Sequence, residues 1–134
     1  MSRPKSRFPT ELELLILKIF WKRGTLPVRE IRRFLGIEAS RPLAHTSVVT
    51  TLNTMVEKGY LSRKKDGNAY MFTAQVEEKD VSSGMLDDVL KRVFDGSAKA
   101  LMVSLLESES VSHEEHEKLR RLIEQQKSKD QSFG

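Results

Sequence analysis

Short hydroxyl side chains are concentrated in residues 44–58, where five Ser or Thr residues fall within nine positions. At about 100° per residue, a helix over this stretch places Val48, Leu52 and Met55 on one side. The opposite side is polar and carries short donors and acceptors. Its members are Thr46, Ser47, Thr50, Thr51, Asn53 and Thr54.

The composition of this polar face indicates a role other than helix stability. Thr is a poor helix former because branching at Cβ restricts its rotamers. Short donors and acceptors suit a helix that lies in a DNA groove, where they reach phosphates, base edges and the thymine methyl. The alternative is a polar face that merely tolerates Thr. The neighbouring segments favour the first interpretation.

Residues that could support catalysis or bind a metal are scarce. The chain has no Cys and three His, and it contains no Gly-rich phosphate loop or nucleophile with a partner base. His113 and His116, with Glu117, are one helical turn apart and could hold a metal, but two adjacent ligands at an exposed helix start are usually solvated polar residues. We therefore predict no enzyme activity, no cofactor and no metal site.

Charge is distributed unevenly along the 134 residues. Residues 1–76 contain 14 Lys or Arg against 6 Asp or Glu, a net charge of +8, whereas residues 77–134 contain 9 against 13, a net charge of −4. A basic half joined to an acidic half indicates that the first meets a polyanion and the second has another task, such as self-association. The predicted domains are accordingly 1–76, which binds DNA, and 77–134, which dimerises.

No segment predicts membrane insertion or export. The strongly apolar run Leu14–Leu17 ends at Lys18, far short of the roughly 20 residues that span a bilayer. Residues 1–8 lack the apolar segment of a signal peptide. A cytoplasmic location is the expectation.

The first half of the chain predicts a helix-turn-helix. Residues 10–13, Thr-Glu-Leu-Glu, form a capping box that begins a helix ending at Gly24. Pro27 begins a second helix, predicted to end at Gly36. Residues 37–43 then form an unusually long turn into the hydroxyl-faced helix. Arg29, Arg32 and Arg33 on the second helix face outward, and the turn holds Arg41. Arg3, Lys5 and Arg7 form a short basic N-terminal arm that could contact phosphate.

A β-hairpin is predicted directly after the third helix. Asp66-Gly67-Asn68 lies between two extended runs, and Asp-Gly is a strong hairpin signal because both residues accept a positive φ. A hairpin in this place is a wing. Its Arg63, Lys64 and Lys65 would reach a phosphate backbone or minor groove, or alternatively form a solvated edge strand protected from pairing by Lys.

Three short amphipathic helices are predicted after residue 77. The first breaks at Asp95-Gly96, the second is capped by Ser97, and the third begins with a capping box at Ser112 and gives way to a polar tail from Gln125. Their apolar faces exceed what they can bury on one another, so an identical chain is the expected partner. The predicted dimerisation residues are Val89, Val93, Phe94, Leu101, Leu105, Leu119 and Leu122.

The ordered set of motifs resembles the penicillinase-repressor family of bacterial winged-helix regulators (BlaI/MecI/CopY). The resemblance covers nearly the whole chain, and it implies a homodimer that binds an inverted repeat and represses resistance genes. It implies that Thr46, Ser47 and Thr50 read bases while the wing contacts the backbone. The matching segments are Thr10–Trp21, Pro27–Glu30, Thr46–Gly59, Asp66–Tyr70 and Phe94–Ile123.

Two departures from the family pattern concern the inducing signal. The penicillin-responsive members are cleaved at an Asn-Phe bond, where this chain has Ser104-Leu105. The copper-responsive members carry Cys-x-Cys motifs, and this chain has no Cys. The resemblance therefore carries neither signal to this chain.

The expected protein is mostly α-helical with a small β-hairpin wing, a winged helix-turn-helix followed by a C-terminal helical dimerisation region. The expected function is sequence-specific repression by a homodimer on double-stranded DNA. A winged helix that binds another protein instead is the alternative, and a salt-dependent DNA affinity would separate the two. The predicted DNA-binding residues are Arg41, His45, Thr46, Ser47, Thr50, Thr51, Arg63, Lys64 and Lys65.

Overall fold

The computed structural model describes residues 8–132, with side chains described for residues 8–127. The predicted contacts of the N-terminal arm, at Arg3, Lys5 and Arg7, lie outside this range. The elements are α1 (Glu11–Arg23), β1 (Leu26–Pro27), α2 (Val28–Glu38), α3 (His45–Glu57), β2 (Leu61–Asp66), β3 (Ala69–Ala74), α4 (Glu78–Arg92), α5 (Ala98–Glu107) and α6 (His113–Ser132). The predicted fold class, mostly helical with a small sheet, is confirmed.

The chain divides into two compact units between Leu86 and Asp87. We call these the N-terminal unit and the C-terminal unit. The division falls within α4, beyond the boundary after residue 76 that the sequence predicts. Val81, in the first half of α4, is buried, which is why this part of the helix belongs with the N-terminal unit.

Helix α1 is fixed at both ends by the predicted signals. The Thr10 Oγ1 accepts from the Glu13 amide at 3.2 Å, and the Thr10 amide donates to Glu13 Oε1 at 2.9 Å, which completes the capping box. Gly24 has φ 86°, and its amide donates to the Phe20 carbonyl at 2.7 Å. The indole Nε1 of Trp21 donates to the Val76 carbonyl at 2.9 Å, so α1 also anchors the chain that leaves the sheet.

The core of the N-terminal unit lies between α1, α2, α3 and the sheet. These elements meet through aliphatic and aromatic side chains at the spacings that the helical and strand patterns predict. The buried cluster comprises Ile16, Leu17, Ile19, Phe20, Ile31, Phe34, Leu35, Val48, Leu52, Met55, Leu61 and Phe72.

The sheet has three strands rather than the two of a simple hairpin. β3 pairs with β2 through the wing and with β1 on its other side, both antiparallel, in the order β1-β3-β2. Leu26 pairs with Phe72, and the Thr25 and Thr73 hydroxyls are 2.9 Å apart. The predicted extended segment before α2 is therefore a short strand that attaches the wing to the helices.

Three boundary predictions are wrong in detail. α2 continues through Gly36 to Glu38, because Gly is tolerated inside a helix at about 1 kcal/mol while the buried Phe34 before it holds this turn on the core. The wing loop is Gly67-Asn68, with Gly67 at φ 64° and Asp66 still paired to Ala69.

The third wrong boundary is the predicted polar tail, since α6 runs on to Ser132. Residues 113–132 are rich in Glu, Gln, Lys and Arg, which are strong helix formers even without apolar periodicity. Polarity alone therefore did not end this helix.

The C-terminal unit has the predicted break and the Ser97 cap, and one of the two hydrogen bonds of the predicted capping box at Ser112. Asp95 and Gly96 have φ 50° and 81°. The Ser97 Oγ accepts from the Ala100 amide at 3.0 Å, and the Ser112 Oγ accepts from the Glu115 amide at 3.2 Å. Among the described helices of the chain, none is long and apolar enough to span a membrane.

Candidate nucleic-acid interface

Helix α3 presents its hydroxyls to solvent, as its pattern predicts. Val48, Leu52 and Met55 are fully buried on the core. Thr46, Ser47 and Thr50 are exposed, and in the described chain their hydroxyls make no hydrogen bond. Three adjacent hydroxyls are therefore available to an external partner.

Two other threonines on this face use their hydroxyls within the helix. Thr51 Oγ1 donates to the Ser47 carbonyl at 2.8 Å, and Thr54 Oγ1 donates to the Thr50 carbonyl at 3.0 Å. This bonding to the carbonyl four residues earlier is a common way to satisfy Thr inside a helix. Both residues are half-buried. The predicted site residue Thr51 thus differs from its neighbours, since its donor is already engaged.

The beginning of α3 is open to an anion. Ala44 is its N-cap and supplies no capping side chain, and the first turn, which lies entirely in the described chain, has no acidic residue. Helix α1 differs, because it has a full capping box and two Glu in its first turn. Unsatisfied amides and the positive end of the helix dipole favour phosphate at such a terminus. His45 is exposed at this end.

Basic side chains of α2 lie beside that terminus. They line a cleft of about 370 Å³ together with Pro42, Leu43 and His45. Arg32 Nε donates to the Leu43 carbonyl at 2.8 Å, which fixes the loop before α3. Arg33 pairs with Glu30 at 2.7 Å. Arg29 is exposed and forms no ion pair within the described chain.

The predicted loop residue Arg41 is also exposed. Its amide donates to the Leu35 carbonyl at 2.8 Å, while its guanidinium forms no ion pair with the described residues. The backbone of this residue closes the end of α2, and its charge is left for solvent or a polyanion.

The three basic residues of the wing are not equivalent. Lys64 and Lys65 are exposed, and the ammonium group of neither makes a hydrogen bond or ion pair with another described residue. Arg63 Nη1 donates to Asn53 Oδ1 on α3, and its guanidinium carbon lies 5.4 Å from the centroid of the Tyr70 ring on β3. The lysines face outward freely, whereas Arg63 is held by the protein.

The end of α3 is tied to the start of α1 by a buried ion pair. Lys58 Nζ lies 2.9 Å and 3.1 Å from the two carboxylate oxygens of Glu13, which is 3 % exposed. Burial raises the pKa of the adjacent Tyr60 phenol, the Glu13 charge raises it further, and the Lys58 charge opposes the rise. The polar cluster fixes α3 against α1 behind the exposed face.

The family model for penicillinase repressors matches residues 9–125. The chain belongs to the penicillinase repressor family. It is 23 % identical to the penicillinase repressor of Bacillus licheniformis over 120 residues, covering 90 % of this chain and 92 % of that protein. It is 29 % identical over 116 residues to the transcriptional regulator BlaI of Mycobacterium tuberculosis (strain CDC 1551 / Oshkosh), covering 84 % and 80 % of the two chains.

A solved structure of RosR from H. salinarum has the same fold. It covers 92 % of this chain and 98 % of its own, with a TM-score of 0.52 and 13 % sequence identity. At this identity the likeness concerns the fold alone. The penicillinase repressor family consists of transcriptional repressors and not enzymes.

The sequence did not reveal the contacts of three residues in or beside the candidate interface. The helical pattern puts Asn53 on the polar face but does not reveal that it binds Arg63. The matching segment Thr46–Gly59 includes Lys58 but does not reveal its pair with Glu13. The basic face of α2 includes Arg29 but does not reveal that it lies beside His45 in one cleft. Three arginines on the helix before a hydroxyl-rich helix are the sequence signal that could have identified the last of these contacts.

Proposed function

We propose that the protein is a sequence-specific DNA-binding repressor that acts as a homodimer on an inverted-repeat operator. Helix α3 lies in the major groove, and its hydroxyl face reads base edges. The observation that carries this proposal is the row of exposed, unbonded hydroxyls of Thr46, Ser47 and Thr50 beside an uncapped helix start. The short reach of these side chains requires the helix to lie deep in the groove.

Phosphate contacts surround this reading face. His45 and the first amides of α3 meet one phosphate, and Arg41 in the preceding loop meets another. Lys64 and Lys65 on the wing contact the flanking backbone. Such contacts position the protein without selecting sequence, and each releases counterions, so the affinity falls steeply with salt. Thr51 contributes through its acceptor lone pairs or methyl, because its donor is engaged.

Dimerisation is assigned to the C-terminal unit. Its described helices bury no side chain completely, and several large apolar residues are exposed, with Val93 at 65 % and Leu122 at 60 %. A second copy would cover these faces with a self-complementary, two-fold interface. Two reading helices related by a two-fold axis match an inverted repeat whose half-sites are one helical turn, or a multiple, apart.

The biological setting follows from the family. Its relatives are named for penicillinase and methicillin resistance, and we propose that this protein also controls resistance genes. A repressor that binds the chromosome acts in the cytoplasm. The lack of Cys excludes thiolate binding of copper as its release signal, and Ser104-Leu105 does not match the Asn-Phe bond at which the penicillin-responsive members are cleaved.

The test is a titration of operator and random duplexes with hydroxyl variants. The operator is first obtained by footprinting the DNA upstream of the protein's own gene. Ser47→Ala and Thr50→Ala should each weaken operator binding by about 1–3 kcal/mol, the usual worth of a good base contact. Affinity for random duplex should stay nearly unchanged.

Thr54→Ala is the matched control, since it removes a hydroxyl of the same helix that already donates to the Thr50 carbonyl. It should change operator preference little. Equal losses on operator and random duplex for Ser47→Ala and Thr50→Ala would contradict the assignment of this face. A wild-type chain without salt-dependent DNA affinity would favour a protein-interaction module instead.

A further inference from the structure

Arg63 lies where three elements of the N-terminal unit meet. It is the third residue of β2, and its Cα is paired with Phe72 on β3. Its guanidinium reaches Asn53 on α3 and lies over the Tyr70 ring on β3. One side chain therefore connects the reading helix to both strands of the wing.

The two lysines that follow make no comparable contacts. Lys64 and Lys65 are paired through their backbones with Met71 and Tyr70, and their ammonium groups bind no other described residue. Each ammonium group is exposed with its three donors free, so these residues can contact phosphate without breaking a contact within the protein. Arg63 has already engaged one edge of its guanidinium with an amide and one face with an aromatic ring.

The chemistry of the Arg63 side chain suits its contacts with Tyr70 and Asn53. A guanidinium is planar, so it can stack on an aromatic ring while an N–H donates in its own plane. A Lys ammonium at the same place would retain the charge but lose the planar stacking geometry. Because Asn53 is half-buried, its Oδ1 is less accessible to water, and a hydrogen bond from the protein stabilises it.

We infer that Arg63 is a positioning residue that sets the angle of the wing to the reading helix, and not a phosphate contact. This inference rests on the proposed function, because that angle decides whether Lys64 and Lys65 reach the backbone while α3 lies in the groove. The loop Gly67-Asn68 and the tip of the hairpin have no buried side chain to hold them. The contact from Arg63 to Asn53 supplies a polar connection between the wing and α3.

The first test measures amide hydrogen exchange of residues 64–71 in the free full-length protein. Arg63→Ala, Arg63→Lys and Asn53→Ala should each speed exchange of the protected wing amides by about three- to tenfold, as expected for loss of one hydrogen bond of ordinary net strength at an exposed site. The double variant Arg63→Ala/Asn53→Ala should exchange no faster than the faster single variant, because both remove the same interaction. Lys64→Ala is the control and should exchange as wild type.

The second test measures DNA affinity against salt for the same variants. Arg63→Lys should weaken binding to about the same extent as Arg63→Ala, since charge alone does not replace the planar contacts. Lys64→Ala should lower the slope of log affinity against log salt by roughly one unit.

Wild-type exchange in the Arg63 variants, combined with near-wild-type DNA affinity for Arg63→Lys, would overturn the inference and make Arg63 a phosphate contact. Additive exchange effects of Arg63→Ala and Asn53→Ala would overturn it as well. Absence of salt-dependent DNA binding by the wild-type protein would instead overturn the proposed function, while the exchange test would still decide whether Arg63 holds the wing.

Discussion

The two units of the chain use similar helices in opposite ways. In the N-terminal unit, α1, α2 and α3 bury their apolar faces on one another and on the sheet, with residues such as Ile16, Leu35 and Leu52 at 0 % exposure. In the described part of the C-terminal unit, residues 87–127, no residue is buried. Amphipathic patterning is present in both. The N-terminal unit completes its core within one chain, whereas the C-terminal unit leaves large apolar side chains such as Val93 and Leu122 exposed in the single chain.

Polar interactions differ between the units in the same way. The N-terminal unit buries the pair Glu13–Lys58, with side chains 4 % and 13 % exposed. The ion pairs of the C-terminal unit, Arg92–Asp88, Lys118–Glu114 and Arg120–Glu117, lie within single helices and involve exposed basic groups. A buried ion pair between two helices fixes how those helices pack, whereas an ion pair within one helix does not determine how that helix packs on its neighbours. The N-terminal unit is therefore expected to be rigid as a monomer.

The largest expected effect comes from separating the units. Residues 1–86 should fold as a monomer, because they retain the whole buried cluster and Val81. They should bind a palindromic operator about 10²- to 10⁴-fold more weakly than the full chain, since the second half-site is no longer held at high effective concentration. Analytical ultracentrifugation and operator titration measure these two properties.

The full chain should sediment as a dimer at micromolar concentration. A half-site duplex is the control, because the truncated chain should retain most of the affinity that a single subunit has for it. A monomeric full chain, or a truncated chain that binds the palindrome as tightly as the whole, would show that the C-terminal helices are a packing extension of one monomer.

A smaller effect is expected from breaking one ion pair in each unit. Lys58→Met leaves the Glu13 carboxylate buried without its cation and should lower the free energy of unfolding by about 3–5 kcal/mol. Arg92→Met removes an i,i+4 pair within α4 whose Arg92 side chain is 77 % exposed and whose Asp88 side chain is 17 % exposed, and it should cost about 0.3–0.5 kcal/mol, as such helix pairs usually do. Urea denaturation of both variants provides the comparison.

The double variant Glu13→Gln/Lys58→Met tests the reason for that loss. It removes the unpaired charge, so it should be more stable than Lys58→Met alone. If Lys58→Met lowers the free energy of unfolding as little as Arg92→Met does, water reaches Glu13 when Lys58 is absent. In that case the Glu13–Lys58 pair does not hold α3 rigidly against α1.

Local signals were sufficient to predict most of the fold. The capping box at Thr10, the breaks at Gly24 and Asp95-Gly96, and the cap at Ser97 depend on residues within one turn of each other, so the sequence contains the whole interaction. The two faces of α3 are likewise set by a period of 3.6 residues. The structure has these features where the sequence predicts them.

Contacts between distant residues could not be predicted in this way. β1 is two residues long, and its partner β3 is about 45 positions later, so no local pattern reveals the third strand. The contact of Arg63 with Asn53 and that of Lys58 with Glu13 depend on how α3 packs. The donor of Thr51 is engaged by its own helix, which residue type alone does not reveal because Ser47 and Thr50 have the same chemistry.

The most direct comparison of the two units replaces one leucine in each by alanine and measures the loss of stability, and Leu122→Ala is expected to have the smallest effect. Leu52 on α3 is fully buried, whereas Leu122 on α6 is 60 % exposed in the single chain. Leu52→Ala creates a cavity and should destabilise the protein by about 2–5 kcal/mol at any protein concentration. Leu122→Ala removes no intramolecular core contact, so within one chain its cost should be near the ±0.5 kcal/mol typical of surface sites.

The protein concentration dependence of unfolding distinguishes the two variants. If a second copy covers α6, Leu122→Ala weakens the dimer, and its destabilisation disappears when the comparison is made at concentrations where both proteins are monomeric. Leu52→Ala is equally destabilised at every concentration. A loss for Leu122→Ala that does not change with dilution would mean that Leu122 is covered within its own chain, and the contrast between a self-sufficient unit and one that requires a partner would no longer hold.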